Sequence, residues 1–168
     1  MRYEIFVTVW GERFVRKFME FALASQLAPG NLPALSAVAC VIYRIYTDRA
    51  SEKYFQPEID VLKNLVNVEF VFYEDLAYQN GSLADAIANS DAAVVKHNVE
   101  RETSRHHMMV AQQSRKTAII LLNSDFIFSD GSFAHFHEQR IAGKKAYAAM
   151  HLRLIEEDAA PILKEHLP

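Results

Sequence analysis

Runs rich in β-branched and aromatic residues alternate with helix-patterned stretches along the whole chain, and this alternation narrows the fold more than any other feature. Residues 3–10 form the first run, which Gly11 ends; residues 41–47, 68–72, 117–122 and 145–152 form the others. Residues 12–28 carry Phe14, Val15, Phe18, Met19, Ala22 and Leu23 at the spacing of one helical face. Glu12 in that first turn complements the helix dipole, and Pro29-Gly30-Asn31 stops the helix. Residues 33–39 are short and ambiguous. Residues 49–65 read as a helix kinked or restarted near Pro57, and residues 73–81 as a loop. Ser82 caps a helix that begins near Leu83, with Asp85 approximating a capping box. Residues 84–96 are apolar on most sides, although 91–95 also fit a short strand. Residues 98–115, 133–142 and 156–165 read as further helices, the second stopped by Gly143. The expected fold is α/β, a three-layer sandwich with a mostly parallel central sheet and helices on both faces. No repeat, low-complexity segment or clear linker divides the chain, so residues 1–168 read as one domain.

A chain of 168 residues can bury a sizeable core. Lys and Arg total 18 against 21 acids, a formal net charge of −3, so no basic field recruits nucleic acid or anionic lipid. Cys40 is the single cysteine. It forms no intrachain disulfide, fits a reducing compartment, and is expected in the core rather than as a nucleophile. Glu4 interrupts the N-terminal apolar run, unlike a signal peptide, and no apolar stretch approaches the ~20 residues of a membrane span. The expectation is a soluble, cytoplasmic protein.

The run Thr117-Ala-Ile-Ile-Leu-Leu leads straight into Asn123-Ser124-Asp125, and Asp130 follows in the turn-forming Ser129-Asp130-Gly131-Ser132. A buried strand ending this way sets carboxylate oxygens at the carboxyl edge of a sheet, where open α/β sheets bind ligands. Hard oxygens suit Mg²⁺ or Mn²⁺ bridging a carboxylate or two to phosphates. The competing reading is Asp125 as a turn cap. Trp10 and Gly11 end the first strand, and Thr47 and Asp48 end the second, so these residues share the same edge. Trp10 offers a stacking face, Gly11 close backbone approach, and Asp48 an acceptor for ribose or base. Each has a plainer role as well: core residue, turn residue and helix cap.

His106-His107 and His135/His137 lack the i, i+4 spacing of a helical zinc site and read as solvated surface. His97 is a lone histidine, and His151, at the end of a strand, has a possible place in the cleft. Arg101, Arg105, Arg115, Lys116, Arg140, Lys144 and Lys145 are scattered basic residues suited to solvated helix faces. No Gly-x-Gly-x-x-Gly follows the first strand, and neither a Walker-type loop nor a Gly-x-Ser-x-Gly elbow occurs.

The order of short motifs resembles the nucleotide-binding half of glycosyltransferases with the A-type fold, over residues 3–153. It comprises Thr8-Val-Trp-Gly11, a long helix, Pro29-Gly-Asn-Leu-Pro-Ala-Leu35, Tyr43-Arg-Ile-Tyr-Thr-Asp48, and residues 121–132. The resemblance implies a nucleotide-diphosphate sugar at the carboxyl edge, transferred to an unknown acceptor, with an Asp-x-Asp motif holding Mn²⁺ or Mg²⁺ on the diphosphate. That motif maps to Asn123-Ser124-Asp125, where only the last acid matches and Asn123 is a weaker, neutral ligand. Asp130 could supply a carboxylate at a different spacing. Thr8, Trp10, Gly11, Thr47 and Asp48 would contact the nucleoside; no catalytic residue is assigned. Such enzymes take a further ~80–150 residues after the metal motif for the acceptor site and base. Residues 131–168 follow Asp130 here, which suggests a truncated, minimal or purely binding form. The alternative is a non-catalytic α/β binding or self-assembly module, a homo-oligomer, supported by 11 Phe and 7 Tyr. A small phosphate-ester hydrolase fits less well, because the first strand ends in Trp10-Gly11 rather than an acidic nucleophile.

Overall fold

The computed structural model describes residues 1–56, 59–78, 81–113, 117–148 and 153–167. Strand β1 (Arg2–Thr8) turns at Gly11, whose φ of 80° is the left-handed geometry glycine adopts without strain, into helix α1. Helix α1 runs through Glu12–Lys17, a π-helical stretch Phe18–Leu23, and Ala24–Gln26. Helix α2 (Leu32–Val38) resolves the ambiguous segment and leads into β2 (Cys40–Thr47). The segment expected as a helix kinked or restarted near Pro57 is a 3₁₀ stretch, Arg49–Phe55, and then α3 (Ile59–Leu65); Pro57 itself lies outside the described residues. Strand β3 (Asn67–Phe72) is followed by a small ladder of β4 (Ala77–Tyr78) and β5 (Gly81–Ser82).

Ser82 then caps α4 (Leu83–Ala88), and Asp85 completes the capping box. Helix α5 (Ala92–Ala111) absorbs the segment that also fitted a strand. Strand β6 (Thr117–Leu122), α6 (Ser132–Ile141) and α7 (Glu156–His166) complete the chain. No strand forms at residues 145–148, and residues 149–152, with His151, lie outside the described residues.

The main sheet has the order β3-β2-β1-β6, and all three pairings are parallel. The chain steps outward from β1 to β3, then returns past β1 to β6. Parallel crossovers are right-handed, so reversing the direction of travel moves the connection to the other face of the sheet. That is why helices cover both faces. Alternate residues of β1 and β2 (Tyr3, Ile5 and Val7; Val41, Tyr43 and Ile45) join Val15, Phe18, Leu35, Leu62 and Phe133 in the larger core. The opposite face contributes Phe6 and Tyr46 to a smaller core with Tyr73, Leu83 and Val99. The three-layer α/β sandwich follows directly. No helix among the described residues is long and apolar enough to cross a membrane.

Three side chains depart from the sequence reading. Phe14 points to solvent at 62% exposure, because the apolar stripe of α1 is carried instead by Val15, Phe18, Met19, Ala22 and Leu23. Cys40 is exposed, since it only opens β2. His107 is fully buried rather than solvated, because α5 lays this part of its surface on the second face of the sheet.

That second face also buries charge. Arg2 pairs with Glu4 at 2.7 Å, Glu4 with Arg44, and Arg44 with Glu69 at 2.8 Å, a chain of charges across β1, β2 and β3. Glu4 is fully buried and Arg44 nearly so; in a low-dielectric interior each ion is tolerated because the other is present.

Candidate ligand site at the sheet reversal

The reversal falls between β1 and β6, the topological switch point where two neighbouring strand ends part and leave a crevice. A cavity of about 240 Å³ lies there. Its sheet side comprises Phe6 and Thr8 of β1 with Leu121 and Leu122 of β6. Phe6 is opposite Leu121 in the ladder, and Thr8 stands one step beyond the Val7–Leu122 pair. Thr8 is therefore level with the point where the chain leaves β6 and enters Asn123-Ser124-Asp125, which also line the cavity. The opposite wall is α5, through Glu100 and Ser104. Four residues apart on a helix, these two share a face.

Thr8 is fixed in place by α5. Its hydroxyl lies 2.9 Å from that of Thr103, which in turn donates to the Val99 carbonyl at 2.8 Å. With its proton committed, Thr103 accepts from Thr8. The side chains of Glu100, Ser104, Asn123, Ser124 and Asp125 have no partner among the described residues. An apolar floor with several convergent, uncommitted polar groups is the usual make-up of a small-molecule site.

Of the residues expected at this edge, Thr8, Asn123 and Asp125 come together at the cavity. The others do not line it. Trp10 packs edge-on against Tyr73, with ring centroids 5.5 Å apart. The Gly11 N–H donates to Ser51 Oγ at 2.8 Å, while Asp48 Oδ1 accepts from Ser51 N at 2.7 Å and so caps the 3₁₀ stretch. Ser51 thereby ties the ends of β1 and β2 together. Thr47 is buried, its hydroxyl without a partner among the described residues. Asp130 Oδ1 accepts from the Gly30 N–H at 2.6 Å, which joins the loop after β6 to the loop after α1.

Glu100 and Ser104 were not singled out from the sequence. Their i, i+4 spacing was legible; which face of α5 meets the sheet was not. Phe6, on the floor, also stacks on His107 at 4.5 Å with an interplanar angle of 27°. Burial, and then the nearby Arg44 guanidinium, push the His107 imidazole down to about 4. The Glu4 carboxylate and backbone pull the other way, but among the described residues neither ring nitrogen has a partner of hydrogen-bonding geometry. Tyr46, beside it, places its hydroxyl 2.9 Å from His106 Nδ1, and burial raises its phenol well above the ordinary value.

Carboxylate, amide and hydroxyl oxygens are the donor set at the cavity, and these hard ligands fit Mg²⁺ or Mn²⁺ held through one or two carboxylates and completed by phosphate oxygens. Among the described residues no group of three or more His, Cys, Asp or Glu side chains converges as a complete metal cage. Comparisons with family models, curated proteins and solved structures found no match to this chain.

Proposed function

We propose that the chain is a glycosyltransferase-like domain that binds a nucleotide-diphosphate sugar at the β1–β6 crevice. The carrying observation is the cavity at the switch point, where Thr8, Asn123 and Asp125 meet with uncommitted oxygens beside them. Asp125 would hold the divalent ion, with Asn123 as a neutral second ligand. When bound, the ion supplies charge stabilisation to a departing diphosphate. Thr8, fixed through Thr103, shapes the sheet side of the site, and α5 limits access of water from one face. The cavity is smaller than the ~300–1,000 Å³ of sites for drug-sized ligands, so it would take one part of a nucleotide sugar, with the nucleoside lying along the strand ends towards Trp10 and Asp48.

The test is thermal unfolding with UDP or GDP in the presence and absence of Mn²⁺. Ligand that binds only the folded state raises the transition temperature. Absence of a shift with either nucleotide, with or without the metal, sinks the reading.

A second reading, self-assembly without catalysis, draws on β6. Among the described residues it ends the sheet, its six residues contain no charge or proline, and Leu121 is 52% exposed. Natural edge strands normally carry such protection. Light scattering decides it: a concentration-independent oligomer without nucleotide affinity favours assembly, and a monomer excludes it.

A further inference from the structure

We infer that the part of the cavity between α5 and β1 receives the sugar ring of the donor, and that Glu100 makes it selective for neutral, hydroxyl-bearing rings over anionic ones. The inference rests on the nucleotide-sugar reading and adds the class of sugar. Two walls carry it. On the sheet side Phe6 and Leu121 present apolar surface, suited to the C–H face of a pyranose. On the helix side Glu100 and Ser104 present a carboxylate and a hydroxyl one turn apart. Neither side chain has another partner among the described residues, so both are available to a ligand.

The charge of the lining sets the selectivity. Among the described residues its charged members are Glu100 and Asp125, both acids, with no lysine or arginine. Asp125 is assigned to the metal and its diphosphate, which leaves Glu100 as the charge that the ring meets. A carboxylate accepts hydrogen bonds and donates none. Sugar hydroxyls donate to it well; a uronate carboxylate placed there meets a like charge in a partly enclosed site. The cavity is also of a size for one ring, not for a ring together with a base.

The experiment measures dissociation constants by calorimetry in fixed Mn²⁺ for two matched pairs, UDP-glucose with UDP-glucuronate and GDP-mannose with GDP-mannuronate, and for UDP and GDP alone. In the wild type, the neutral sugar of the pair that binds should be favoured by roughly tenfold or more. Glu100→Gln, which keeps the shape, should bring the pair close together, mainly by improving the uronate. Ser104→Ala should weaken the neutral sugar nucleotide and leave the free nucleoside diphosphate unchanged, which a merely structural role would not do. A wild-type ratio near one, or a ratio unchanged by Glu100→Gln, overturns the inference while nucleotide-sugar binding stands. If none of these nucleotides binds, the inference and the proposed function fall together.

Discussion

The Asp130 carboxylate accepts a 2.6 Å hydrogen bond from the backbone N–H of Gly30, one hundred residues earlier in the chain. The contact is close because Gly30 lacks a side chain: a Cβ there would stand 2.6 Å from the Gly131 nitrogen and 2.7 Å from its Cα. Asn31 reinforces the junction by accepting from the Phe133 N–H at 3.0 Å and donating to the Ser25 carbonyl at 2.8 Å. The loop that leaves the cavity is thus anchored on the segment just after α1.

This junction separates two effects. Gly30→Ala drives a carbon into backbone that cannot swing aside, so a loss on the order of 2 kcal/mol or more is expected. Asp130→Ala removes a charge-assisted hydrogen bond at an exposed site, at about 1 kcal/mol. Urea unfolding should rank the two in that order. If Asp130→Ala instead abolishes Mn²⁺-dependent nucleotide binding at unchanged stability, Asp130 belongs to the ligand site.

Asp125→Asn should behave in the opposite way. The side chain is exposed and has no partner among the described residues, so unfolding should shift by no more than about 0.5 kcal/mol. The Mn²⁺-dependent part of protection by nucleoside diphosphate should disappear. Binding equal to wild type would end the metal assignment.

These residues also mark how far the sequence could be read. That the ends of β1, β2 and β6 share one edge was legible, because parallel strands joined by helices bring their carboxyl ends together; that β6 lies directly beside β1, level with Thr8, was not. The Gly30–Asp130 bond and the roles of Glu100 and Ser104 did not follow. Each depends on how a helix or loop packs at long range, and local patterning carries no such information. His106 and His107 show the same limit. Neighbours on α5 point about 100° apart, but spacing alone could not show that one of them, His107, would lie under the sheet.

The ion chain on the second face predicts a clear asymmetry. Arg44→Met leaves the buried Glu4 with Arg2 as its one remaining ion-pair partner among the described residues, and a loss of about 3–5 kcal/mol is expected from the poorly compensated charge. Glu4→Leu combined with Arg44→Met should recover most of that loss, because apolar side chains then fill a space no charge occupies. Urea unfolding of the two single variants and the double variant measures the coupling; additive losses would show that the pair is not mutually dependent.

His107 predicts how stability depends on pH. In the folded chain its imidazole titrates at about 4, held down by burial first and by Arg44 second; the unfolded chain titrates near the ordinary ~6.5. Between these values the unfolded state binds a proton that the folded state refuses, so stability falls as pH drops through that window. Above the window the residue contributes no slope. The total is on the order of 3 kcal/mol, at most about 1.4 kcal/mol per pH unit. Carboxylates also titrate in this range, so the measurement is a difference: His107→Phe keeps an aromatic ring against Phe6 and removes the titration. Its stability should therefore fall less steeply than wild type between pH 6.5 and 4, and the two curves should run parallel from pH 7 to 8. Parallel curves across the acid range would mean that His107 is protonated in the folded protein, with its charge answered by the Glu4 carboxylate.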